Sequence, residues 1–177
     1  MTCIIALAVV CQSGGCSSWR EATVRITEAQ LQEYINERFP ITKSHQVLGS
    51  IIYKNPRISL RREDNLVELG IDIAVGNIKI NGRDLRGSVL MLASVVYNTE
   101  KKALFLKDPQ LQQLTLNGVP EQNVQMLRGF FMPAIEKLFK RKPVYSFKDQ
   151  DRVTNIAGKL VKDIRVCDGS VEIVWGI

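Results

Sequence analysis

The sequence predicts an α+β fold. A long, curved antiparallel β-meander would wrap on a long kinked helix in the second half of the chain, with a short N-terminal helix and a small C-terminal helix plus hairpin. Three observations carry that expectation. Between residues 50 and 116 apolar and polar residues alternate over long stretches, the period of half-buried strands. From Pro120 to Lys142 the apolar residues recur at helical spacing instead, around an internal Pro133. "TEAQLQEYINERF" (27–39) opens with a Thr-x-x-Gln capping box, which marks a helix start.

Taken in order, "ATVRI" (22–26) is a short strand feeding that helix. Leu31, Ile35 and Phe39 form its apolar stripe, Ile26 can staple to Leu31, and Pro40 ends it. "TKSHQ" reads as a polar loop. "SIIYKNPRISL" (50–60) is extended, and Pro56 marks an edge or a bulge. In "LVELGIDIAV" (66–75), Val67, Leu69, Ile71, Ile73 and Val75 share one face, with Glu68, Gly70 and Asp72 on the other. "INGR" carries the Asn-Gly hairpin signal.

"SVLMLASVVY" (88–97) is apolar on both faces, with Leu90, Leu92 and Val96 on the second. "KALFL" (102–106) and "LQQLTL" (111–116) complete the meander. On the long helix, Val124, Leu127, Phe131, Ile135 and Leu138 form a stripe that Met126, Phe130, Ala134 and Phe139 widen. Pro133 should kink it, because its ring crowds the carbonyl four residues back. "PVYSF" is a strand candidate, "RVTNIAGKLVKDI" (152–164) has helical spacing, and a last hairpin turns at Asp168-Gly169.

At 177 residues, with 45% apolar and 24% charged residues, the chain has ordinary globular composition rather than that of a disordered one. The net charge of +6 favours an anionic partner. Residues 3–11, "CIIALAVVC", are too short to span a bilayer but suit the apolar core of a secretory signal. Small residues follow and then Cys16, an arrangement that resembles a lipobox, although Ser13 stands where such motifs usually have Leu. The organisation expected is a signal and lipobox segment (1–16), a tether (17–21) and one domain (22–177). A Cys16–Cys167 bridge is the alternative use of Cys16, and a half-buried thiol is the expected state of Cys167.

Catalytic constellations are absent from the pattern. His45 is the sole histidine, and no G-x-S-x-G elbow, phosphate-binding glycine loop or H-E-x-x-H motif occurs. No enzyme, metal site or cofactor is expected. Lys137, Lys140, Arg141 and Lys142 end the long helix, where they complement its dipole and could also meet anionic headgroups. Nucleic acid is disfavoured, since aromatic residues are not interleaved with basic ones as a stacking platform.

"VRITEAQLQEYI", "KKALFLKDPQLQQLTL", "FFMPAIEKLFKRKPVYSF" and "AGKLVKDIRVCDGSVEIVW" together resemble the YceB-like family of proteobacterial lipoproteins, a domain of unknown function, over about residues 22–175. That resemblance implies that Cys16 carries a lipid holding the protein to the outer membrane, facing the periplasm. More remotely the family is similar to the tubular lipid-binding superfamily, which implies an acyl chain between sheet and helix. The expected function is therefore a non-catalytic envelope lipoprotein that binds a lipid or another elongated hydrophobic ligand. Leu90, Leu92, Val96, Leu127, Phe130, Phe131 and Ile135 are its candidate lining. The alternative is a membrane-anchored scaffold for a protein partner in the envelope.

Overall fold

Alternation in the middle of the chain builds one large antiparallel sheet. The computed structural model describes residues 22–46, 49–80, 82–147 and 160–176. Strands β1 (Ala22–Thr27), β2 (Ile41–His45), β3 (Gly49–Arg61), β4 (Leu66–Ile80), β5 (Arg83–Asn98), β6 (Ala103–Leu116), β7 (Tyr145–Ser146), β8 (Leu160–Cys167) and β9 (Ser170–Gly176) are joined by helices α1 (Glu28–Asn36) and α2 (Glu121–Arg141). β2 to β7 form a six-stranded sheet in sequence order, and β1, β9 and β8 form a three-stranded one.

The inner face of the large sheet follows the sequence pattern closely. Val67, Leu69, Ile71, Ile73 and Val75 are each at most 1% exposed and pair with β5, so one face of β4 is entirely core. Val89 and Met91 continue that face on β5, and Leu111, Leu114 and Leu116 on β6. Val166, Val171, Ile173 and Trp175 of the smaller sheet join the same core. At the β4–β5 turn Gly82 takes φ +76, as the Asn-Gly signal requires, and Gly169 takes φ +67 in the last hairpin.

α1 starts as expected. The Thr27 side chain accepts from the Gln30 amide at 3.2 Å, and the Gln30 side chain accepts from the Thr27 amide at 2.9 Å. Its other face repairs an exposed sheet edge. β2 pairs only with residues 49–53 of β3, so the rest of that edge lacks a strand neighbour. Gln32 fills the gap by donating to the Pro56 carbonyl at 2.7 Å and accepting from the Ile58 amide at 2.8 Å, and Glu28 accepts from the Leu60 amide at 2.9 Å. Helix side chains thus stand in for backbone and block edge-to-edge pairing. Pro56 sits in the β-bulge expected for it, between Lys54 and Arg57.

The predicted architecture needs correction. Of the described residues, 61% are strand and 21% helix, so the chain is mostly β and organised by its large antiparallel sheet. It is not a meander wrapped on a long kinked helix. The apolar width of α2 suggested a central element, but most buried apolar side chains come from strands. α2 covers one face, from β6, where Arg128 donates to the Leu111 carbonyl, to β2 and β3 at its far end.

Two local readings change with it. The helix expected over 152–164 is strand from Leu160 onward, because β9 offers a partner along the whole of β8; residues 152–159 lie outside the described residues. Val161, Ile164 and Val166 are β-branched, and pairing decides what spacing left open. The "TKSHQ" loop is largely edge strand β2.

Candidate functional site

The seven candidate lining residues do not converge. Phe131 and Ile135 are 0% and 1% exposed within the core, and Leu127 is partly buried against it. Leu90 and Leu92 are half-buried on the opposite face of β5, where Leu90 faces Gly70 and Gln113 and Leu92 faces Glu68 and Gln110. Val96 lines a separate pocket of about 280 Å³ with Tyr97, Phe105 and Lys101. The Phe130 side chain lies outside the described residues. Spacing placed these residues on apolar faces, but nothing in it told the inner face of β5 from the outer.

What the fold does assemble lies at the far end of α2. A groove of about 350 Å³ runs between edge strand β2 with its neighbour β3 and the last turns of the helix. Strand register explains one wall: Ile41 pairs with Tyr53 and Lys43 with Ile51, so all four residues share a face. Helical spacing explains the other, since Ala134, Lys137, Leu138 and Arg141 recur every three or four residues and line the groove. Ile51, Tyr53 and Leu138, 0%, 1% and 4% exposed, give it an apolar floor. Lys43, Lys137, Arg141 and Lys142 supply a cationic rim, with no carboxylate among the described lining residues.

Three of the four basic residues proposed from sequence therefore come together, while the Lys140 side chain lies outside the described residues. Lys43 and Tyr53 are the additions. The apolar run "IIY" at 51–53 marked a strand without saying which face Tyr53 takes, and Lys43 was hidden by the polar composition of β2.

The Tyr53 hydroxyl is buried with no hydrogen-bond partner among the described residues. Burial alone pushes its phenol up to about 12. A buried hydroxyl without a partner forfeits about 1–3 kcal/mol of desolvation. The Trp175 Nε1 is also unpartnered, at the edge of an aromatic cluster with Tyr97 and Phe147.

A wider depression of about 920 Å³ at the β4–β5 hairpin is lined by Lys79, Arg83, Asp84, Arg86 and Asn117, with no apolar side chain among its described lining residues. Among the described residues no group of three or more His, Cys, Asp or Glu side chains could hold a metal, and no helix is long and apolar enough to cross a membrane.

Fold and groove define a mostly β domain with a basic, apolar-floored cleft at one sheet edge. A family model described as a protein of unknown function, DUF1439, matches residues 26–170, and the chain belongs to that family. No curated protein matches it.

Proposed function

We propose that the chain is a non-catalytic envelope lipoprotein, held to the outer membrane through Cys16, whose periplasm-facing domain binds a lipid or other elongated hydrophobic ligand. The binding place in this reading is the groove between β2–β3 and the last turns of α2. One observation carries it: an apolar floor of Ile51, Tyr53 and Leu138 lies directly under four cations. Sites that hold amphiphiles need that juxtaposition, with apolar walls for area and a few placed polar groups for orientation. The resemblance to YceB-like lipoproteins and to the tubular lipid-binding superfamily points the same way, and it supplies the anchor at Cys16.

Native mass spectrometry of the Cys16→Ser chain after incubation with palmitate or phosphatidylglycerol tests the reading. A discrete adduct that Ala134→Trp abolishes in a folded protein is the expected result, since Ala134 lines the groove. A bare mass under both conditions overturns it and moves the search to protein partners. Met126, 71% exposed, is the one large hydrophobic side chain standing free among the described residues, which gives a scaffold little apolar surface to use.

A further inference from the structure

The positive charge of the chain is concentrated. The groove at the end of α2 is lined by Lys43, Lys137, Arg141 and Lys142, and the depression at the β4–β5 hairpin by Lys79, Arg83 and Arg86 with Asp84. Seven cations against one carboxylate make +6, which equals the net charge of the whole chain. Among the described residues none of the seven forms an ion pair. At the other end of β4 the turn cations are matched instead, Arg61 with Asp64 at 2.6 Å and Arg62 with Asp168 at 2.7 Å.

Register brings the two clusters together. Lys43 pairs with Ile51, Ile51 with Val75 and Val75 with Leu85, the residue before Arg86. Three strand spacings, about 14 Å, therefore separate Lys43 from Leu85, and both clusters lie at one end of the large sheet. The helix dipole accounts for Lys137, Arg141 and Lys142 without any partner. It does not account for Lys43, Lys79, Arg83 and Arg86, which belong to strands. Like charges gathered without counter-charges repel one another, and an anionic partner relieves that cost.

We propose that this end of the sheet is a docking surface for an anionic bilayer. Phosphate headgroups are spread over a plane, so one bilayer meets both clusters at once, whereas a small anion occupies only one. Each cation near such a surface adds to the attraction. The choice of a bilayer rests on the ligand-binding reading of the groove, whose apolar floor opens among these cations and would be brought next to the lipids. Single-stranded nucleic acid needs exposed rings to stack on, and the hairpin depression has no aromatic side chain among its described lining residues.

The test measures co-sedimentation of the Cys16→Ser chain with vesicles of phosphatidylcholine, alone or mixed in equal parts with phosphatidylglycerol. Neutral vesicles read the apolar segment 3–11 and set the baseline. Anionic vesicles should bind about tenfold more strongly or better, and high salt should remove the excess. Arg83→Ala with Arg86→Ala, both exposed, should cut the excess about tenfold. Lys101→Ala with Lys107→Ala removes the same charge around the β5–β6 turn and should change it by less than about twofold, since distant charges are screened. Ala134→Trp in a folded protein should leave vesicle binding unchanged, so docking can stand where ligand binding fails.

Equal binding to neutral and anionic vesicles overturns the proposal. Equal losses from the two double variants overturn it too, because net charge and not this surface would then be read. A double-stranded oligonucleotide held as tightly as the anionic vesicles, through the same arginines, overturns the bilayer as occupant. Docking that fails while the palmitate adduct still forms removes this inference and leaves the ligand-binding reading intact.

Discussion

The middle of α2 and its last two turns both bury side chains in the same core, but only the last turns also border a groove. In the middle, Phe131 and Ile135 vanish into the core at 0% and 1% exposure. Toward the end, Lys137 and Arg141 border an open groove, although Leu138 and Phe139 between them stay buried at 4% and 3% exposure. Helix composition does not account for the difference, because both stretches carry apolar residues at core spacing. The strands opposite do. β3, β4 and β5 run for 13, 15 and 16 residues and offer a continuous apolar face, whereas β2 has 5. Where the sheet runs out under the helix, a cleft remains. The candidate site therefore lies at the sheet's short edge and not beneath the most apolar part of the helix.

Substitution in the closed half should have the largest effect. Phe131→Ala removes a fully buried ring and should cost about 3–5 kcal/mol in chemical denaturation. A cost below about 1 kcal/mol would show that the middle of the helix is not closed, and the comparison would collapse. Gly87→Ala probes the sheet beneath it. A Cβ there would stand 2.0 Å from the Thr115 carbonyl oxygen, so β5 and β6 would have to separate. Overpacking of this kind costs about 1–3 kcal/mol, and a melting curve superimposable on the parent's would refute the required close approach.

The open half has its own probe in pH. Burial raises the Tyr53 phenol from 10.0 to about 12, so the folded state favours the neutral form. The associated stability is whole below pH 10 and is lost as pH rises through about 12, about 3 kcal/mol in all. Burial also raises the Tyr97 phenol, so tyrosinate absorbance should show more than one phenol titrating late, and the latest of them should vanish in Tyr53→Phe. If it persists, another tyrosine carries it.

The smallest effect is expected on the outer face of the sheet. Arg57 at 2.9 Å and Asn55 at 2.8 Å hold the Asp72 carboxyl below its ordinary value. That contribution is present above the ordinary carboxylate pKa and is lost as pH falls through the lowered one. Because the pair is partly exposed, Arg57→Ala should cost under about 1 kcal/mol at neutral pH. A larger loss would mean that the outer face matters to the fold as much as the inner.

Much of the frame was legible from residues alone. The capping box at Thr27, the buried face of β4, the bulge at Pro56 and the turns at Gly82 and Gly169 are local or periodic signals, and the structure carries all of them. Less of the site was legible. Lys137, Arg141 and Lys142 stood out as a run of charge, but Lys43 and Tyr53 acquire meaning only through the β2–β3 register. Leu90 and Leu92 show the converse, since both faces of β5 are apolar and only pairing decided which became core.

By itself, then, the sequence determined strands β3, β4 and β5 of the meander, helices α1 and α2 and which side of β4 is buried, because periodicity and capping act within a few residues. Tertiary structure alone decided that the chain is mostly β, that Leu160–Cys167 is a strand, and that the cleft opens beside Tyr53. Those outcomes depend on which strand finds which partner and where the pairing stops, and such contacts join residues far apart in the chain.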